Sequence, residues 1–250
     1  MKLVIPSVFL KVCASPDKRL CVGLLLLLAV TQVAASECVI LLHGMGRSYD
    51  SMNVIEQALM VDGYQVVNID YPSTDYPIEQ LATQYISAAV KRCETIGSSK
   101  IHFVTHSLGG ILVRYFLQDH RIEALGNIVM LSPPNHGSEV ADTLTGWKPY
   151  YWIMGPSGQQ LKTGKDDIPK SLKPIPGEIG IITGNVSYDP WFSVILPGED
   201  DGKVTAESAK LAEMADFMVV DSSHAFIMKS DKVIRQILYF LKNSHFDRSV

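Results

Sequence analysis

The sequence has no CxxC pair and no grouping of Cys and His at zinc-ligand spacing, although four cysteines are present. That removes the zinc ribbon and the dithiol redox site from consideration. There is no charge block, internal repeat or low-complexity tract, so neither a repeat array nor a long solvated tail is expected. A basic excess is missing too. Lys and Arg number 22 against 26 Asp and Glu, a net charge of −4, and the pI is near 6.0. Nucleic-acid binders usually carry a basic face, so no nucleic-acid partner is expected. Finally, no apolar run reaches the roughly 20 residues that span a bilayer.

The longest apolar run, Leu20 to Ala35, is nevertheless informative. Lys2, Lys11, Lys18 and Arg19 precede it, Leu24–Leu28 form its centre, and Val33-Ala34-Ala35 end it with small residues. Basic region, apolar core and small-residue end are the layout of a secretory signal. The rival reading is an uncleaved N-terminal anchor, which would give the protein membrane association. Thr31 and Gln32 weaken it. Residues 1–35 are therefore expected to be a signal peptide or anchor, and residues 36–250 an exported domain, periplasmic or secreted.

What remains is long enough for one domain with a sizeable core. Cys38 to Leu42 is an unbroken apolar run, as expected of a central parallel strand covered on both faces. It ends in the glycine-bearing loop His43-Gly44-Met45-Gly46-Arg47-Ser48. A helix follows from about Ser51, with Met52, Ile55 and Leu59 on one face and Gly63 as its stop. Tyr64 to Ile69 is the next strand. Pro77 opens a second helix, whose stripe of Ile78, Leu81, Ala82, Tyr85, Ile86, Ala89 and Cys93 follows the 3.6-residue period. Ile101 to Val104 is a strand, followed by a helix through about Leu117, and Ile128 to Leu131 is a strand again. This alternation predicts a parallel sheet with helices on both faces. The regularity stops after Leu131. Residues 139–177 read as an insertion over the sheet, with Trp147, Tyr150, Tyr151 and Trp152. These four are candidates for an acyl pocket or lid, but plain packing is the expectation for such a cluster. Ile179 to Thr183 and Phe217 to Val220 complete the strands, and a helix from about Asp231 to Leu241 closes the chain.

In an open parallel sheet, ligands sit at the carboxyl ends of the strands. Ser107 lies at one such end, on a sharp turn between strand and helix. Its hydroxyl needs a base, and imidazole suits that task at neutral pH. His224, just after the last strand, is the first choice and His136 the second. His106 adjoins the serine but should point elsewhere. His43 is expected to make a structural hydrogen bond, while His102, His120 and His245 lie within a strand or at helix ends. The base needs a carboxylate behind it. Asp201 is preferred because Gly202 permits a tight turn, but Glu199 and Asp200 are contiguous with it and Asp221 is nearer His224 in sequence. A tetrahedral oxyanion needs two N–H donors. Leu108 would supply one and Met45 the other.

Taken together, these stretches resemble the α/β-hydrolase superfamily, in its bacterial lipase/esterase-like branch. Thr105-His106-Ser107-Leu108-Gly109 looks like the nucleophile elbow, His43-Gly44-Met45-Gly46 like the oxyanion loop, Asp200-Asp201-Gly202-Lys203-Val204 like the acid loop, and Ser223-His224-Ala225-Phe226 like the histidine loop. The order serine, acid, histidine is that superfamily's. The resemblance implies Ser107 as nucleophile, Asp201 as acid, His224 as base, and an α/β fold with a mainly parallel sheet of about six strands. Two departures stand out. Thr105 replaces the first elbow glycine and needs a small packing adjustment, and the extra N-terminal strands of larger members are not expected, so the sheet should be a small version; a cysteine-stapled lid is missing as well.

The function so implied is ester hydrolysis on a small-molecule or lipid ester, with no cofactor and no metal. An acyltransferase with the same nucleophile, and a non-catalytic binding module of the same fold, are the alternatives. Cys13 and Cys21 would leave with a cleaved signal. Cys38 and Cys93 are then either a disulfide, as an oxidising compartment allows, or two buried thiols.

Overall fold

The computed structural model describes residues 36–188 and 194–249. The signal or anchor expected over residues 1–35 lies outside the described residues. Among the described residues, no helix is long and apolar enough to cross a membrane.

Strands β1 (Cys38–Leu42), β2 (Gln65–Ile69), β3 (Ile101–His106), β4 (Leu125–Leu131), β5 (Ile179–Gly184) and β6 (Asp216–Val220) form one sheet in the order β2-β1-β3-β4-β5-β6. Every neighbouring pair is parallel. All residues of β1 and β3 are buried, which explains the unbroken apolar run of β1; β3 buries His102, Thr105 and His106 along with its apolar residues. Where strands differ from expectation they do so at their ends. β4 starts at Leu125 rather than Ile128: Leu125 already pairs with Ile101 of β3, but Gly126 and Asn127 interrupt the apolar run and hide this start in the sequence.

Helices α1 (Asn53–Val61), after the short turn of helix Tyr49–Met52, and α9 (Asp231–Asn243) cover one face. Ile55, Leu59, Val233, Ile237 and Phe240 are buried there against Val39, Leu41 and Val104. The other face is covered by α2 (Ile78–Leu81), α3 (Ser87–Ile96) and α4 (Leu108–Asp119). Its core joins Ile78, Leu81, Ile86, Ile111 and Leu112 to Ile40, Leu42 and Phe103. Truncating any of these buried leucines to alanine should cost about 2–5 kcal/mol. The helix expected to run regularly from Ile78 to Cys93 contains a wide π turn at Ala82–Ile86. With that turn, Ile86, Ala89 and Cys93 still face the core.

Cys38 and Cys93 form a disulfide with a Cα–Cα distance of 5.8 Å, closing the first residue of β1 onto α3 across 55 positions. Of the two readings of these cysteines, the structure has the bridge.

The insertion contains α5 (Glu139–Leu144), α6 (Lys148–Gln159) and α7 (Ile168–Ser171), with α8 (Ala206–Ala209) following after β5. Helix α6 is broken at Gly155, with φ 60° and ψ −164°. A Cβ there would lie 1.6 Å from the Thr74 carbonyl oxygen, so only glycine permits the approach. The Ser157 hydroxyl donates to the Ser73 carbonyl at the same contact. The second half of α6 is thus anchored to the loop after β2. The first half packs through Tyr150, whose hydroxyl donates to the Gly158 carbonyl at 3.3 Å. Tyr150 is buried, but Trp147, Tyr151 and Trp152 are 58%, 51% and 77% exposed. Packing, expected for all four aromatic residues, holds only for Tyr150.

The chain passes from β2 on one side of β1 to β3 on the other. Loops after β1 and β3 therefore diverge at the carboxyl edge and leave a crevice between them, the usual ligand position of an open α/β sheet.

Candidate active site

Ser107 stands at that crevice between β3 and α4. Its backbone has φ 52° and ψ −118°, a left-handed conformation that non-glycine residues rarely adopt. Such strain costs of order 1–3 kcal/mol and persists only where surrounding bonds impose it. Here the Ser107 N–H donates to the Leu131 carbonyl at 2.8 Å, and the Gly110 N–H returns to the Ser107 carbonyl at 3.0 Å. Gly109 lets α4 pass β1 closely: a Cβ there would sit 2.9 Å from the Leu42 carbonyl oxygen. Thr105 is fully buried, and its hydroxyl oxygen lies 3.4 Å from where a Cβ on Gly110 would be. The threonine thus fits against a glycine of the helix.

The three side chains named from sequence meet. The Ser107 hydroxyl is 3.0 Å from His224 Nε2. On the other edge of the ring, His224 Nδ1 is 2.8 Å from Asp201 Oδ2. The Asp201 side chain is inaccessible to solvent, whereas that of His224 is 14% exposed. The other carboxylate oxygen, Oδ1, accepts from the N–H groups of Val204 at 2.9 Å and Lys203 at 3.1 Å. Backbone bonds add to this, since the His224 N–H donates to the Asp201 carbonyl at 2.9 Å. Burial pushes the Asp201 carboxyl up, but His224, the Ser132 hydroxyl and the Val204 N–H outweigh it and hold the group below its ordinary value. An ionised Asp201 fixes the tautomer: His224 Nδ1 carries the proton and Nε2 can accept from Ser107.

The rival residues have other partners. Glu199 accepts from Asn185 Nδ2 at 3.0 Å. Asp200 accepts from the Gly202 N–H at 2.7 Å, shaping the turn. Asp221 is exposed at the end of β6, and His136 is exposed as well. His43 stacks on Tyr71 with ring centroids 4.0 Å apart and bonds the Gly44 carbonyl at 2.8 Å, the structural role expected of it.

Two residues were not read as participants from sequence. His106 is buried, and its Nε2–H donates to the backbone carbonyl of His224 at 3.0 Å. Burial, then the neighbouring His224 charge, holds its imidazole well below the ordinary value, so it stays neutral. Ser132, at the carboxyl end of β4, is also fully buried and has a left-handed φ of 47°. Its hydroxyl faces Asp201 closely enough to help keep it ionised, although short of good hydrogen-bond geometry. A polar residue directly after an apolar strand was the available signal.

The glycine-bearing loop after β1 borders the same crevice. Gly44 packs on the elbow: a Cβ there would lie 2.6 Å from His106 Nδ1 and 3.3 Å from Ser107 Cβ. Met45 follows, and Gly46 bends the chain at φ 63° while its N–H donates to Ser73 Oγ at 2.9 Å. Leu108 opens α4, where an N–H has no preceding turn to receive it. A cavity of about 630 Å³ opens beside Ser107 and His224. Much of its apolar lining comes from the insertion, through Val140, Ala141, Leu144, Tyr150, Met154 and Leu161. Among the described residues, no cluster of three or more His, Cys, Asp or Glu side chains could hold a metal.

Residues 39–218 match the sequence profile of the Alpha/beta hydrolase family. No curated protein sequence matches. Among solved structures, the mature lipase BlEst2 of Bacillus licheniformis is 21% identical, with a TM-score of 0.70 over 83% of this chain and 92% of that one. Phospholipase PlaB of Legionella pneumophila is 20% identical, with a TM-score of 0.66 over 85% of this chain and 60% of that one. A thermophilic esterase of Thermogutta terrifontis is 15% identical, with a TM-score of 0.56 over 85% of this chain and 92% of that one. At these identities the structural likeness is one of fold, whereas the profile spans most of the sequence. By that match, and with the six-stranded parallel sheet and its helices, the chain belongs to the alpha/beta hydrolase family.

Proposed function

We propose that the chain is an exported serine hydrolase that cleaves carboxylic esters, with Ser107 as nucleophile, His224 as base and Asp201 as the supporting acid. The observation that carries this is the unbroken hydrogen-bond chain from Ser107 Oγ through His224 to Asp201. In the reaction, Ser107 Oγ attacks the ester carbonyl carbon while its proton passes to His224 Nε2. The N–H groups of Met45 and Leu108 receive the oxyanion, an interaction whose loss typically costs about 3 kcal/mol in barrier height. The intermediate collapses as His224 gives the proton to the leaving alcohol. Water, activated by the same histidine, then releases the carboxylic acid from the acyl-enzyme.

The apolar wall from residues 139–177, a lid or cap in this reading, suits the acyl chain. The lipase, phospholipase and esterase among the structural relatives favour an ester with an apolar acyl group, lipid or soluble. Export is supported by the leader-like composition of residues 1–35 and by the Cys38–Cys93 disulfide, since such bonds persist in oxidising compartments. If the leader is retained, it gives membrane association. Hydrolysis of p-nitrophenyl esters of increasing chain length by the wild-type protein and by Ser107→Ala tests the reading. Activity that survives the substitution contradicts it.

A further inference from the structure

Among the described residues, Arg47 lines the cavity together with Ser107 and His224. The only described acidic residue in the lining is Asp201, whose oxygens are occupied by His224, Lys203 N–H and Val204 N–H. The Arg47 side chain is exposed, and among the described residues no carboxylate lies in ion-pair range of it. Its charge acts on buried His106, one of the influences that lower that imidazole.

Position decides what Arg47 would meet. Much of the apolar lining comes from the insertion. Arg47 comes just before the helical turn Tyr49–Met52, which packs against the turn Ile227–Lys229. Phe226, two residues after His224 and 55% exposed, shares the lining there. Arg47 therefore lies on the histidine side of the cavity. In acyl transfer the histidine protonates the leaving alcohol, so that side receives the alcohol portion of an ester.

Resting on the proposed ester hydrolysis, we propose that Arg47 is a specificity residue for an anionic group on the leaving-alcohol side of the substrate. The substrate class is then an amphiphilic ester: an apolar acyl chain against the insertion, and a phosphate or carboxylate on the alcohol facing Arg47. A guanidinium suits either anion because its planar donors match both bidentately. The attraction crosses a partly solvated opening, so salt should weaken it.

The test is a matched series of butyrate esters whose leaving phenols are neutral or carry a carboxylate, a phosphate or a trimethylammonium group. Wild type should favour an anionic leaving group over the neutral one by roughly fivefold in kcat/KM at low salt, with the cationic ester slowest. The carboxylate and phosphate arms identify which anion is preferred. Arg47→Gln should collapse the ratio of anionic to neutral turnover, while Arg47→Lys keeps most of it. Equal rates for all esters in wild type, or an Arg47→Gln protein with the ratio intact, overturns the proposal while leaving ester hydrolysis standing. Turnover of no ester, with Ser107 unlabelled by a fluorophosphonate, overturns both.

Discussion

His106 holds the main chain of His224. Its Nε2–H reaches the His224 carbonyl at 3.0 Å, and the two rings lie 4.9 Å apart, centroid to centroid. The residue before the candidate nucleophile thus grips the backbone of the candidate base, 118 positions away in the chain. Replacing His106 by phenylalanine removes that bond and leaves a bulky ring in its place. Loss of the anchor is expected to lower kcat by about tenfold or more, since misplacements near 1 Å can cost that much. Ser107 should remain reactive toward a fluorophosphonate, more slowly than in wild type. Stopped-flow labelling beside steady-state ester hydrolysis checks both.

Buried neutral imidazoles make stability depend on pH. In the unfolded chain His106 takes up a proton near its ordinary value of 6.5, whereas burial keeps the folded residue neutral to a much lower pH. Between those limits the unfolded state binds more protons, so stability is full above about pH 6.5 and falls as pH drops. The limiting slope for one such group is about 1.4 kcal/mol per pH unit. His43 and His102, also held low chiefly by burial, act in the same direction. Asp201 adds a loss further down, because a carboxyl held below 3.8 stabilises above that value and ceases to as pH falls through its folded pKa. Urea unfolding at a series of pH values should give a shallower slope below pH 6.5 in the His106→Phe protein. An unchanged slope assigns the effect to other groups.

The Cys38–Cys93 bridge closes 55 residues of chain. Restricting an unfolded loop of that length is worth about 4 kcal/mol in the chain-entropy account. Reduction, or the Cys38→Ser/Cys93→Ser double substitution, is expected to lower unfolding stability by about 2–4 kcal/mol. Urea titrations with and without reductant measure this directly, and intact mass confirms the redox state. No difference between the two titrations contradicts it.

Much of this arrangement was legible in the sequence because buried strands are locally written. The apolar runs of β1, β3 and β6 and the turns that follow them placed the glycine loop, Ser107 and His224 at one edge of the sheet. The acid was legible only to within three residues. Glu199, Asp200 and Asp201 share a chemistry, and which one turns inward depends on a bend at Gly202, φ 94°, that spends Asp200 on a backbone N–H. Contacts between distant segments were not legible. Gly155 against Thr74, Ser132 beside Asp201 and His106 on His224 join residues whose local sequence carries no sign of the partner. The aromatic run of the insertion misled for a related reason. Composition cannot tell Tyr150, which turns inward, from Trp147 and Trp152, which face solvent at the start of the same helix.

The apolar wall should set acyl chain length. Leu144→Trp fills part of the cavity near Val140 and Leu161. Activity on long-chain esters is expected to fall by about tenfold relative to butyrate, consistent with 1–3 kcal/mol per misfitted methylene. A chain-length series of p-nitrophenyl esters reads this as a shift of the optimum toward shorter acyl groups. An unmoved optimum would place the acyl chain elsewhere.

The central claim is that the oxygen of Ser107 becomes acylated. Incubation with a fluorophosphonate, followed by intact mass and peptide mapping, tests it most directly. The account predicts a single adduct on Ser107 in the wild-type protein, and neither adduct nor ester turnover in a folded Ser107→Ala protein. An adduct on any other residue, or ester hydrolysis that survives in Ser107→Ala, would contradict it.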